Sequence, residues 1–334
     1  MSYFRMRFAS FLLLLVLASA SLRAQIVKVY QPIVGSAQFA NFDRFTREPL
    51  LVVMEDEPSD AASQRRMAKD PKEAALFRAD LAARNEALRA AVKFWTLTKV
   101  EFITSAQADA HYRDKEASHL LLRLGGLGPH GITVTSMVLS AEGKPEKLNF
   151  AGSLQVFAND VPEDARRRPV ASASFAPHPN SYWSQTYFTS DAINAVQAMQ
   201  RYVDARMHQQ KDKDIEEAEL QRIRQSSLAL TQKTLLLDRA RLDAELPAAQ
   251  IAQLYPYPVQ VVERAVIEAA VATADPRYLY ARYLTVYRNH GYQLVDAASG
   301  QALAYAQFNL MRNIALGHIQ DWTLKEFVRT AAGR

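Results

Sequence analysis

The sequence has no cysteine, which removes disulfide scaffolds, thiol nucleophiles, thiolate metal sites and a lipid-acylated cysteine in one stroke. Histidine is scarce. The seven histidines never stand three or four residues apart, the spacing that places two metal ligands on one helix turn. No G-x-S-x-G elbow and no S-x-x-K occurs, and the carboxylates show no spacing that singles out an acid and base pair. No metal, no cofactor and no catalytic residue is therefore expected from the sequence.

Long apolar runs are almost as rare. The longest is Phe11 to Leu17, preceded by Arg5 and Arg7 and followed by the small residues Ala18 to Ala20. That order reads as a signal peptide over residues 1–24, with cleavage after Ala20 or after Ala24, and the run falls well short of the roughly 20 residues of a membrane span. Periplasmic or secreted localisation is the expectation, with no integral span once the signal is removed. Charge of one sign is also missing. The formal net charge is +5, but Arg5, Arg7 and Arg23 leave with the leader, so 37 basic face 35 acidic side chains and the mature charge is +2. Such a balance is no footprint for a nucleic acid. The cluster Arg166 to Arg168 sits between Glu163, Asp164 and Pro169 and reads as a solvated loop.

What is present is an ordinary globular chain of 334 residues with 49% hydrophobic and 22% charged residues, long enough for two domains. Residues 25–48 form a lead-in segment with aromatics, and Leu50 to Met54 a buried strand. Residues 55–69 are polar and read as a loop. Asp70, Pro71 and Glu73 then announce a helix, because Asp70 can accept from free first-turn amides and proline suits the first helical position. Phe77, Leu81, Leu88, Val92 and Trp95 continue at helical spacing, with Arg84 interrupting the stripe. Strand-like runs follow at Val100 to Ile103, His119 to Leu124, Ile132 to Leu139 and Leu148 to Phe157, with a short helix before Tyr112. The order is βαβαβββ.

The same order returns in residues 231–334. Thr234 to Leu237 and Val259 to Val262 are strand-like, residues 247–254 and 264–273 helical, and Tyr278 to Arg288 a long strand. The turn at residues 289–291 leads to Tyr292 to Val295, and Ser299 with Gly300 makes a second turn before Leu303 to Ala306. Sliding the first half by 159 positions pairs Val100 with Val259, Ala106 with Ala265, Ala110 with Ala269 and Arg123 with Arg282. The expectation is an α/β (α+β mixed-sheet) protein of two tandem βαβαβββ units, with helices packed on one face of each sheet. The first unit occupies 25–189 with a long loop at 158–189, the second 231–334 with C-terminal helices, and 190–230 is a connecting helical segment.

Gly126 to Gly131 matches G-x-G-x-x-G, a motif that works when a helix follows and presents its amino end to a pyrophosphate. Here Ile132 to Thr135 is strand-like, so the stretch reads as a hairpin connection. The best candidate contact surface is the aromatic group Tyr182, Trp183, Tyr187 and Phe188, large rigid side chains on a proline-rich loop that suit partner recognition. The alternative is that the loop folds back over a sheet face.

The punctuation Val261 to Arg264, Asp275 to Tyr278 and Val295 to Gly300 resembles the α/β domain shared by the amino-terminal part of the translocation protein TolB and the curli-secretion lipoprotein. The likeness covers the second unit and, more faintly, residues 50–158, where Leu139 to Gly143 replaces the aspartate-bearing turn. The lipoprotein's anchoring cysteine and TolB's propeller repeats have no counterpart here. The resemblance implies a bacterial envelope module that binds an envelope protein partner, a non-catalytic interaction or scaffold role. A secreted hydrolase with its site in the cleft between the two units is the alternative.

Overall fold

The structure is a computed structural model that describes residues 33–35, 41–57, 59, 61–113, 120–125, 136–139, 145–148, 153–158, 171–174, 188–286, 289–307 and 318–333. The expected signal peptide, the G-x-G-x-x-G stretch, the arginine cluster at 166–168 and three of the four candidate contact aromatics, Tyr182, Trp183 and Tyr187, lie outside these residues.

The first sheet is built from β1 (Ile33–Gly35), β2 (Leu50–Met54), β3 (Val100–Thr104), β4 (Leu120–Gly125), β7 (Ser153–Ala158) and β8 (Ala171–Ser174), in the order β1-β8-β7-β4-β2-β3; β5 (Ser136–Leu139) and β6 (Pro145–Leu148) pair separately. Its helices are α1 (Arg44–Arg47), α2 (Ala61–Lys69), α3 (Pro71–Ala91) and α4 (Ser105–Arg113). Between the sheets run α5 (Thr189–Met207), α6 (Asp212–Arg224) and α7 (Ser227–Gln232). The second sheet has β9 (Thr234–Asp238), β10 (Val259–Val262), β11 (Tyr278–Val286), β12 (Asn289–Asp296) and β13 (Ala302–Gln307), ordered β10-β9-β11-β12-β13, with α8 (Ala248–Leu254), α9 (Arg264–Ala272) and α10 (Asp321–Ala331).

In both sheets the three strands joined by helices run parallel and the later strands antiparallel: β2 pairs β3 and β4 in parallel and β7 antiparallel to β4, as β9 pairs β10 and β11 and β12 pairs β11. This is the mixed α/β class expected from the sequence. Parallel neighbours need crossover helices, whereas hairpins supply antiparallel ones.

The helices do not lie on one face of each sheet. Leu50, Val52 and Met54 of β2 pack with Ala87 and Leu88 of α3 and with Ile193 and Val196 of α5, while Leu51 and Val53 pack with Ala108 of α4 on the opposite face. In the second sheet Leu235 and Leu237 meet Ile251 of α8 and Phe327 of α10, and Leu236 and Tyr280 meet Ile267 of α9 on the other side. The cause is the strand order. The chain leaves β2 for β3 on one side and returns past β2 to β4 on the other, and two right-handed crossovers in opposite directions put their helices on opposite faces.

Four local expectations also change. Residues 289–291, read as a turn, belong to β12 and pair with residues 284–286 of β11. Residues 61–69, read as loop, form α2; alanine, glutamine, methionine, arginine and lysine favour helix without marking an apolar stripe. The 158–189 loop contains β8, which pairs with β7 and β1. Its alternation of alanine and serine sends Ala171 and Ala173 into the core, a period of two that small residues make easy to overlook. The helical connector is three helices, broken where Gln209 takes φ 61°. Its first helix is a core element: one hydrophobic cluster runs from Leu50 and Leu120 through Ile193, Val196 and Met199 of α5 to Leu236 and Tyr280.

Other expectations match the structure. Helix α3 begins at Pro71, with the Ala74 amide bonded to the Asp70 carbonyl. Gly300 has φ 65° in the turn between β12 and β13, where the Asp296 side chain accepts from the amides of Ala298 (2.9 Å) and Ser299 (3.3 Å). A left-handed residue closes that turn, and glycine adopts it without strain.

Candidate functional site

The parallel strands of the second sheet end at a crevice. After β9 the chain turns toward α8 on one face, and after β10 toward α9 on the other; the carboxyl ends of strands at such a reversal are where open α/β sheets leave room for a ligand. The crevice is small, with about 10 Å³ of space, the scale of a single water, and Phe188, Asp191, Arg241, Arg264, Ala281, Tyr283 and Tyr292 line it.

Its floor is aromatic. The Tyr283 and Tyr292 rings lie 5.3 Å apart at 55°. Burial pushes the Tyr292 hydroxyl well above its ordinary pKa, while the nearby Arg241 and Arg264 pull it down and Tyr283 and Asp238 push it up. The phenol thus stays protonated at neutral pH. Arg241, in the short 3-10 turn Arg239–Arg241, holds its guanidinium 5.3 Å from the Tyr283 ring centre. Asp238 ends β9 and accepts from the Ala240 amide at 3.0 Å, capping that turn.

One wall is the amino end of α5. Phe188 occupies the N-cap position and has no side-chain oxygen to bond the free amides of the first turn. Glu268 of α9 does so instead: its carboxylate accepts from the Ser190 amide (2.7 Å) and hydroxyl (2.8 Å). Arg264 donates to Glu268 (2.8 Å) and to the Ser190 hydroxyl (2.6 Å), and its guanidinium lies 3.7 Å over the Phe188 ring. A carboxylate near a helix amino end meets both free N–H groups and the positive end of the dipole.

Beneath this wall lies a buried ion pair. Arg282 of β11 is 1% exposed and Asp191 3%; Arg282 Nε donates to Asp191 Oδ1 at 2.9 Å and Nη1 to Asn194 Oδ1 at 2.7 Å. Asn194 Nδ2 donates to the Gly300 carbonyl (2.9 Å), and Arg201 to those of Ser299 (2.7 Å) and Gly300 (2.9 Å). Ser190, Asn194, Gln197 and Arg201 are spaced four, three and four apart. They form a polar stripe facing the second sheet, while Ile193 and Val196 face the first.

Of the four aromatics expected to contact a partner, the described one, Phe188, packs within the chain under Arg264. The groups that build the crevice were not selected by sequence pattern, because arginine and tyrosine recur throughout and their convergence depends on the fold. One signal was available: Arg282 stands in an otherwise apolar strand and pairs, under the 159-residue slide, with Arg123. Among the described residues no group of three or more histidine, aspartate or glutamate side chains is placed to hold a metal ion, and no helix is long and apolar enough to cross a membrane. Comparisons with protein-family models, curated proteins and solved structures return no match for this chain.

Proposed function

We propose that this chain is an exported cell-envelope protein, periplasmic or secreted, that acts as a non-catalytic interaction or scaffold module of two tandem α/β units. The observation that carries this reading is how the ionisable groups between the sheets are used. Glu268, Arg264, Asp191, Arg282 and Arg201 are all engaged in bonds that fasten α5 to the second sheet, and such groups serve as mortar rather than as acid, base or nucleophile. The hydrolase alternative needs an open cleft between the units, and α5 occupies that space with Ile193, Val196 and Met199.

Duplication is supported by topology and by register. Each sheet repeats the order of a central strand flanked by two parallel neighbours and followed by two antiparallel ones. Arg123 stands opposite Gln155 in the first, and Arg282 opposite Gln293 in the second. The candidate partner surface is Tyr182, Trp183 and Tyr187, with Phe188 anchoring the end of that segment on Arg264.

The test is capture of a partner from the envelope of the source cells by the tagged mature chain, read by mass spectrometry. One partner recovered in stoichiometric amount is expected, and Trp183→Ala should weaken that capture by about 2 kcal/mol while leaving the melting temperature nearly unchanged. A stability loss of about 3 kcal/mol instead would assign Trp183 to the core. Turnover of ester, peptide or glycoside substrates by the purified chain would overturn the reading.

A further inference from the structure

The sheets differ at their outer edges. On β13 side chains close the edge: the Ser226 hydroxyl meets the Leu303 carbonyl, and the Thr330 hydroxyl of α10 accepts from the Tyr305 amide at 3.2 Å. The outer edge of β3 has less cover among the described residues. The Leu50 amide donates to the Lys99 carbonyl at 2.8 Å, and β2 pairs with β3 in register from Leu50 with Val100 to Met54 with Thr104. Alternation then turns the backbone groups of Glu101 and Ile103 toward β2 and those of Val100, Phe102 and Thr104 outward. The Gln107 side chain takes the Thr104 amide at 2.8 Å. The N–H and C=O groups of Val100 and Phe102 remain for another strand, beside a Phe102 side chain that is 48% exposed and has the Arg89 guanidinium 5.6 Å from its ring centre.

An open strand edge is a template for pairing with another chain. We propose that β3 pairs antiparallel with β3 of a second copy of this chain, about a two-fold axis through Val100, to form a homodimer. The residues around that axis are self-complementary. Lys99 and Glu101 flank Val100 on the sheet face opposite Phe102, bonded to each other at 2.9 Å with both side chains open to solvent. The two-fold sets Lys99 of each copy directly opposite Glu101 of the other, at the non-hydrogen-bonded positions where cross-strand side chains come closest, while the two Val100 backbones exchange their hydrogen bonds. On the other face each Phe102 comes diagonal to Val100 of the other copy, within reach of an aromatic ring. Neighbouring registers lose this match. An axis through Glu101 sets two carboxylates opposite each other, and one through Phe102 sets Glu101 opposite Ile103 and needs the Thr104 amide that Gln107 holds. The equivalent strand of the second sheet, β10, is Val259-Gln260-Val261-Val262 and offers no charge to either Lys99 or Glu101. Dimerisation is separate from partner capture, since it uses none of Tyr182, Trp183 and Tyr187, and either can fail without the other.

The test is sedimentation velocity of the full mature chain across the micromolar range, with charge reversals at the axis. A concentration-dependent equilibrium between monomer and dimer is expected. Lys99→Glu or Glu101→Lys alone places two like-charged pairs across the axis and should weaken the dimer by about tenfold or more, whereas K99E combined with E101K should restore it. Phe102→Lys, which sets a charge on the open edge, should weaken it likewise, with an unchanged circular dichroism spectrum showing that the variant folds. A chain that stays monomeric throughout, single reversals without effect, a double reversal as weak as the single ones, or full affinity in a folded F102K would each overturn the proposal. Assembly beyond the dimer would overturn it too, because a two-fold contact closes on itself. Should F102K fail to fold, the charge reversals decide the matter alone.

Discussion

The chain leaving β2 in the first sheet carries three acids in a row, Glu55, Asp56 and Glu57, whereas the chain leaving β9 in the second carries Asp238 followed by Arg239 and Arg241. These two segments occupy the same topological position, the exit from a central parallel strand. The acids of the first are bonded from nearby: Arg84 of α3 donates to Glu55 at 2.6 and 2.9 Å, Arg78 to Glu57 at 2.8 Å, and the uncharged Ser105 amide to Asp56 at 3.0 Å. The second exit is basic, and its balance comes from α9 and from α5, a helix that follows the other sheet. The shared strand order therefore sets where charge collects, while the helix that covers the exit sets its sign and use.

The comparison extends to Arg123 and Arg282, which hold equal register positions in β4 and β11. Arg282 is buried with Asp191, so Arg282→Met should cost about 3 to 5 kcal/mol by leaving an unpaired carboxylate in the core. Arg123, only half-buried, should lose much less on the same change. Denaturant unfolding of both variants measures the gap, and equal losses would break the contrast drawn between the two sheets. Replacing both partners, as in R282M with D191L, should recover part of the loss.

The next effect concerns the helix shared by the two sheets. Ile193 is fully buried on the face of α5 toward the first sheet, and Ile193→Ala should cost about 3 kcal/mol through lost burial and a cavity. Because that helix also carries the polar stripe, hydrogen exchange should show both sheets loosening together. Protection lost in the first sheet alone would mean that the units are energetically independent.

A smaller loss is expected at the turn held by the stripe. A side chain at Gly300 would have to accept φ 65° and would place its Cβ 2.1 Å from the Gln197 amide oxygen, so Gly300→Val should destabilise by about 1 kcal/mol or more. An unchanged thermal melt would show that the turn does not hold α5. The smallest effect lies before β11. Arg277 donates to Asp275 and holds its carboxyl down at about 2, below the ordinary 3.8. The depressed folded value means that this pair's contribution exists above pH 3.8 and disappears as pH falls toward 2. On this exposed turn the readout is the carboxyl titration by NMR, which Arg277→Ala should raise part of the way toward the ordinary range, since the backbone amide of residue 277 still donates to Asp275.

Much of the fold was legible in the residues. Asp70 and Pro71 mark the start of α3, the apolar runs from Leu50 and Leu235 mark the central strands, and Ser299 with Gly300 marks a turn, because each signal is local and depends on backbone conformation or side-chain period. Arg84 looked like a fault in an apolar stripe. It is a buried cation whose partner, Glu55, lies 29 positions earlier, and no local pattern announces such a pairing.

What the sequence determined by itself is the α/β class, the absence of thiol chemistry and the turn at Ser299 and Gly300, since these follow from composition, periodicity and turn stereochemistry. Tertiary structure alone decided that helices cover both faces of each sheet, that α5 belongs to both cores, and that Arg264 and Arg282 meet carboxylates while Arg241 rests over the Tyr283 ring. Those outcomes depend on which distant residues meet, and electrostatic and packing energies fall off over a few ångströms in space irrespective of separation along the chain.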